Sequence, residues 1–287
     1  MKLFFLSKAR YFSPIILLLL FILPGTAYSA SAVLPDVEKR SIIQCVDGYA
    51  NVAGDRKLKK LRYKAVSVAK HKVLENAERY LESRAKDSNL NLRYEIIKNR
   101  CGKFVTVLDK KDYGIENNRR CHVWIKAEVE YKLRNPMMEE TTLLTVKIWT
   151  NKKKYKEGEN INVYIKGNRD FYAKIVKIGI DGDIVQLLPN NYRQISLFKK
   201  GRTYRIPDEG DRFNLEVSPP FGIERIIVFA SELPLSRINM KTIAKGLYKY
   251  RGTKRYLERS VRAALPVVKG RPVEFCETFW EILKTPQ

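Results

Sequence analysis

Between Leu143 and Ala230 the chain passes through about seven short strand-like stretches, and this succession limits the fold more than any other feature of the sequence. They are Leu143–Trp149, Ile161–Lys166, Phe171–Ile180, Ile184–Leu188, Thr203–Ile206, Phe213–Val217 and Glu224–Ala230. Most are rich in β-branched and aromatic residues and bounded by turn formers, and Asp181-Gly182 between two of them is a strong hairpin signal. Repeated short strands with regular turns predict an Ig-like β-sandwich over residues 143–234.

Upstream the periodicity changes. Ser41–Val52 reads as a strand. From Leu58 to Arg84, Leu61, Ala65, Ala69, Val73, Ala77 and Leu81 recur every four residues, the stripe of a helix lying on a sheet. The alanines in that stripe allow close approach, while Lys59, Lys60, Lys70 and Glu78 form a solvated opposite face. Phe104–Lys110 and His122–Lys132 follow as strands, separated by the turn-rich Gly114–Asn118. Residues 36–134 therefore read as a small strand-helix-hairpin domain. The polar, aperiodic 135–142 reads as a linker. The class expected for the chain is α+β, the small domain preceding the sandwich, with a partly helical basic extension over 235–287, in which Gly252 divides Arg237–Arg262 into two helix-like pieces and Val273–Ile282 reads as a last strand or helix.

Two resemblances rest on these residues. Gly48-Tyr49-Ala50, the alanine-studded basic helix and the closing Lys126–Tyr131 (KAEVEY) resemble the amino-terminal domain of flagellar assembly protein T and related envelope lipoproteins, over residues 42–132. Tyr155–Glu159, Asp170-Phe171-Tyr172, Asp181-Gly182-Asp183, Leu187–Asn190, Ile206-Pro207, Pro220–Glu224 and Ala230-Ser231 form the second set. Together they resemble a bacterial β-rich domain of unknown function appended to envelope proteins and kinases, over residues 143–234. Both resemblances imply accessory, non-catalytic modules, and neither carries a catalytic residue across. Each matching motif also reads as a turn or a core plug.

Lys2, Lys8 and Arg10 precede the apolar run Ile15–Leu23, and small residues follow Pro24. This is the pattern of a secretory signal over residues 1–32, cleaved near Ser29 or Ala32. A retained anchor is the alternative, although the apolar run is short against the roughly 20 residues of a membrane span. Export predicts the periplasm or cell envelope. The formal net charge is +24, of which the first thirty residues carry three units. A charge of +21 on the remainder favours polyanionic partners. In an envelope these are lipopolysaccharide, anionic lipid or wall polymer; nucleic acid is not expected there.

Four cysteines, Cys45, Cys101, Cys121 and Cys276, allow three complete pairings in an exported chain. Cys45 with Cys121 is the pairing expected, on the first and last strands of the amino-terminal domain, leaving Cys101 and Cys276 free or paired across domains. None is spaced for zinc. The residues offer no catalytic constellation. His71 lies between Lys70 and Lys72, and His122 follows Cys121 directly, so on a strand the two point to opposite faces. Nucleotide-binding, serine-hydrolase and metalloprotease motifs are lacking, and Asp181-Gly182-Asp183 has too few oxygens for calcium. The expectation is a protein with no catalytic residue, metal or cofactor. It acts as an interaction or assembly module that docks on envelope proteins or a flagellar or secretion structure, with polyanion binding as the alternative. The candidate anion-binding residues are Lys245, Lys249, Arg251, Lys254 and Arg255. They belong to Arg237–Arg262, where nine basic residues meet the single acid Glu258.

Overall fold

The last strand of the chain, β15 (Val273–Thr285), lies between its first strand, β1 (Lys39–Asn51), and β12 (Gly222–Ser231), antiparallel to both. A computed structural model describes residues 39–52, 57–87, 93–99, 101–117, 119–134, 142–194, 196–243 and 246–287. The expected signal segment and all but one residue of the expected linker lie outside that set.

In the amino-terminal half, β1 pairs with β4 (Arg120–Arg134), and β4 pairs with both β2 (Arg93–Ile96) and β3 (Val105–Glu116). Helix α1 (Leu58–Asp87) covers one face of β1 and β4. All six stripe residues from Leu61 to Leu81 are fully buried. The larger ones are each worth about 2 kcal/mol of burial. Gly48 on β1 makes the close approach possible, because a Cβ there would stand 2.0 Å from the Ala65 carbonyl oxygen.

The carboxy-terminal half is a sandwich. A three-stranded sheet of β5 (Val146–Thr150), β7 (Val163–Gly167) and β11 (Tyr204–Ile206) faces a larger sheet. The facing strands of the larger sheet include β8 (Phe171–Ile178), β9 (Ile184–Leu188), β12 and β15. Tyr155, Ile165, Phe171, Phe198 and Val228 fill the space between. β6 (Lys154–Lys156) and β10 (Leu197–Phe198) pair with β15 and β8. The Asp181-Gly182 turn joins β8 to β9 as expected, with Gly182 at φ +83°.

Three expectations change. First, the halves are not separate domains joined at 135–142: β15 hydrogen-bonds to β1 on one side and β12 on the other, making one twelve-stranded sheet. Second, Phe213–Val217 forms a single bridge, at Glu216, rather than a strand, although Phe213 and Val217 still plug the core. Third, only the second part of the basic tail is helical. Its first part is the small hairpin of β13 (Lys241–Thr242) and β14 (Tyr248–Tyr250), which adds to the sheet through β9. Helix α2 (Lys254–Ala263) begins at the Thr253 cap, whose side chain accepts from the Tyr256 N–H. Leu257, Val261 and Leu265 then pack on the sheet face opposite α1, against Ile43, Phe229 and Phe275.

Candidate interaction surfaces

Strand parity settles the cysteines. On β1 the even-numbered residues face α1: Gln44 Nε2 donates to the Val73 carbonyl at 2.7 Å, and Ala50 packs with Leu61 and Ala65. Cys121 joins that same cluster. Cys45 points the other way, its Sγ 3.6 Å from the Val267 carbonyl. In register, Cys45 stands opposite Lys126 and Cys121 opposite Ala50. Five residues of offset put the two about 17 Å apart along the strands. The expected Cys45–Cys121 disulfide is therefore excluded by both face and distance, and Cys45, Cys101 and Cys121 carry free thiols. Burial pushes the Cys45 and Cys121 thiols up, which keeps them unreactive.

His122 and Cys121 do point to opposite faces. His122 lies stacked between Tyr49 and Tyr113, each with ring centroids 4.5 Å away. Its Nε2 is 2.9 Å from Asp47 Oδ1 and its Nδ1 is 2.5 Å from Glu116 Oε1. Burial opposes the charged ring, but the two carboxylates outweigh it and hold the imidazolium above the usual range. With both ring nitrogens engaged, His122 pins β1 to the β3–β4 hairpin.

The joint between the halves is built on Glu274, which is 1% exposed on β15. Its carboxylate accepts from the Tyr80 hydroxyl of α1 at 2.7 Å, from Arg169 Nη1 at 2.9 Å and from the Leu144 N–H. Burial, then the charge of Glu232, push this carboxyl up; Arg169, Tyr80 and the Leu144 amide oppose them. A second buried set, Arg262 between Glu128 and Glu277, ties α2 to β4 and β15. These networks fix both helices against the sheet and leave their outer faces for solvent or a partner.

The outer face of α1 is strongly basic. Lys59, Lys60, Arg62, Lys64, Lys70 and Lys72 precede its first acid, Glu75. The first turn carries no acid, so Lys59 and Lys60 sit at the positive end of the helix dipole, an arrangement that does not favour the helix by itself. Tyr63 is 77% exposed and Val68 40% exposed on this surface. Arg62 Nε pairs with Asp112 Oδ2 at 2.6 Å.

The candidate anion-binding residues divide. Lys249 is bound to Asp183, and Lys254 Nζ lies 3.2 Å from Glu258. Arg251 and Arg255 are exposed, with Arg259 and the 65%-exposed Tyr256 beside Arg255 on the outer side of α2. Lys245 lies outside the described residues. Sequence reasoning also missed Lys174, Glu274 and Arg262, buried ionic groups set in strands or helices whose apolar pattern did not single them out.

The motif residues serve the scaffold. Tyr155 is fully buried, with its hydroxyl donating to Asn151 Oδ1 at 2.6 Å. Asn190 caps its turn by accepting from the Tyr192 and Arg193 N–H groups. Among the described residues no group of three or more His, Cys, Asp or Glu side chains is placed to hold a metal, and no helix is long and apolar enough to cross a membrane.

The fold and its surfaces define a mostly-β α+β protein with a sandwich at its carboxy-terminal side. Within it, residues 154–234 match the model of a domain of unknown function, DUF4384. The matched segment runs from β6 to just past β12; β5, the tail and β15 lie outside it. No curated protein matches the chain.

Proposed function

We propose that this chain is an exported, non-catalytic interaction module of the cell envelope, docking through the outer face of α1 onto an acidic surface of a protein assembly. The observation that carries the reading is that face. It holds six lysines and arginines before the first acid of the helix, Glu75, with an exposed tyrosine among them, on a helix clamped to the sheet by Gln44 and Glu274. A rigid basic surface with an aromatic anchor suits protein docking, since aromatic and charged groups together give both contact and orientation. The signal-like first 32 residues support the envelope as the location. The resemblance of residues 42–132 to the amino-terminal domain of flagellar assembly protein T supports a flagellar or secretion structure as the assembly. A second reading, binding of lipopolysaccharide, anionic lipid or wall polymer, is favoured by Arg251, Arg255, Arg259 and Tyr256 exposed together near and on α2.

The test measures retention of the purified chain on envelope vesicles, intact and protease-shaved, at low and moderate salt. Parent is compared with Lys59→Gln/Lys60→Gln/Lys64→Gln/Lys70→Gln/Lys72→Gln. Exposed ion pairs worth up to about 1 kcal/mol each predict a loss of at least about tenfold in the variant. The docking reading requires that shaving abolish retention. Retention that survives shaving and disappears on Arg251→Gln/Arg255→Gln/Arg259→Gln instead supports the polyanion reading.

A further inference from the structure

A lysine stands buried in the sheet with no acid beside it among the described residues. Lys174, on β8, is 2% exposed. Its Nζ donates to Gln186 Oε1 at 3.0 Å, and Gln186 is held in place by its own Nε2 donating to the Pro189 carbonyl at 2.6 Å. An ammonium has three donors, so two remain after this bond. Burial alone lowers the Lys174 pKa to about 8, with no neighbouring carboxylate acting on it. Among the described residues Glu224 meets Lys177 and Lys284, and Arg262 meets Glu128 and Glu277, while the ammonium of the other buried lysine, Lys126, donates to the Ala263 and Leu265 carbonyls. Lys174 has a single acceptor, Gln186 Oε1, among the described residues.

The lysine lines a cavity of about 220 Å³. Gln186 and Asn190, both nearly fully buried, share its floor, and Leu235, Ile238 and Met240 form an apolar wall. Arg237 and Gln194 stand exposed at the rim, and Arg237 makes no ion pair among the described residues. At roughly 30 Å³ per water the space equals about seven waters, and it falls below the roughly 300 Å³ of pockets for drug-sized ligands. The wall comes from the segment after β12, beyond the DUF4384 match, while the floor lies within that match.

We propose that this cavity binds a small organic carboxylate, its head group on the Lys174 ammonium and its apolar part against Leu235, Ile238 and Met240. A single buried cation matches a single negative charge, and the amides of Gln186 and Gln194 add polar contacts without a competing acid. A phosphate dianion brings two charges to a site with one buried cation and an apolar wall, and fits it less well. Arg237 at the rim attracts the anion and shields it from water. The site is independent of the docking face on α1.

The experiment is calorimetric titration of the purified chain with butyrate, benzoate and inorganic phosphate, on the parent, Lys174→Met and Arg237→Gln. Methionine replaces the lysine with an apolar chain of similar length, so Lys174→Met should remain folded by circular dichroism. Arg237 is exposed, so Arg237→Gln provides a second variant whose folding is not at risk. Saturable one-to-one binding of butyrate or benzoate to the parent is expected, weakened at least about tenfold in Lys174→Met, as for a lost charge-assisted hydrogen bond. A smaller loss that fades with salt is expected in Arg237→Gln. The proposal is overturned if neither carboxylate binds the parent saturably, if Lys174→Met binds as tightly as the parent, or if phosphate binds more tightly than both carboxylates.

Discussion

Replacing Gly48 with alanine drives a methyl group into the backbone of α1. The added Cβ would lie 2.0 Å from the Ala65 carbonyl oxygen, 2.8 Å from Ala69 Cβ and 2.9 Å from Ala69 N. Two of these three atoms are main chain, so no rotamer change relieves the clash, and the helix must lift away from β1. Reaching even a tight contact of 3.0 Å from the Ala65 oxygen takes a separation of about 1.0 Å. A radial gap of about 0.5–1 Å already forfeits a quarter to a half of each dispersion contact it opens. The helix would lose part of the burial of Leu61 and Val73, each worth about 2 kcal/mol, on top of an overpacking cost of about 1–3 kcal/mol. Gly48→Ala should therefore destabilise the protein by about 3–4 kcal/mol. Urea unfolding followed by far-UV circular dichroism gives the number. Gly210→Ala is the control, because its nearest neighbour would be a side-chain oxygen of Asp208 at 3.4 Å and the cost should be near zero. If Gly48→Ala unfolds at the same urea concentration as Gly210→Ala, the close helix–strand contact is not what positions α1.

Glu274→Gln replaces one carboxylate oxygen with an NH2 donor, so either the Leu144 N–H or the Tyr80 and Arg169 donors lose their acceptor, and it should cost about 1–3 kcal/mol in the same assay. For His122 the folded pKa is raised, so its contribution is fully present below the unfolded value of about 6.5 and is lost as pH rises through the folded pKa. Thermal unfolding across that window should show the parent losing stability with rising pH; His122→Phe should flatten this part of the curve, and an unchanged pH profile would count against the carboxylate clamp.

Features decided by local chemistry were legible in the sequence. The stripe from Leu61 to Leu81 marked α1 because a helix buries every third or fourth residue, and Asp181-Gly182 marked its hairpin because glycine reaches positive φ without strain. What depended on distant pairing was not legible. Val273–Ile282 could be read as a strand or a helix, but nothing in it says that it would pair with β1 and β12, and the division into two domains failed on that single strand. The Cys45–Cys121 pairing failed for a related reason. β1 is buried on both faces along nearly its whole length, so its apolar pattern does not alternate and hides which cysteine faces α1. The same burial on both faces hid Lys174. In the tail, the piece before Gly252 reads as helix-like but forms a hairpin, because its pairing with β9 decides it; after Thr253, Leu257 and Val261 supplied the helical spacing. Of the candidate anion-binding residues, the exposed Arg251 and Arg255 keep a surface that charge alone suggested, while Lys249 and Lys254 meet acids that only the fold brings near.

The central claim is that the outer face of α1 meets a protein partner in the envelope. The direct measurement is site-specific photocrosslinking in living cells, with a photoreactive phenylalanine placed at Tyr63 and, as a control, at Ile223, which is 59% exposed. The account predicts a discrete protein adduct from position 63, reduced when Lys59, Lys60, Lys70 and Lys72 are changed to glutamine, and none from position 223. A protein adduct from position 223 alone, or only lipid and lipopolysaccharide adducts from position 63, would contradict it.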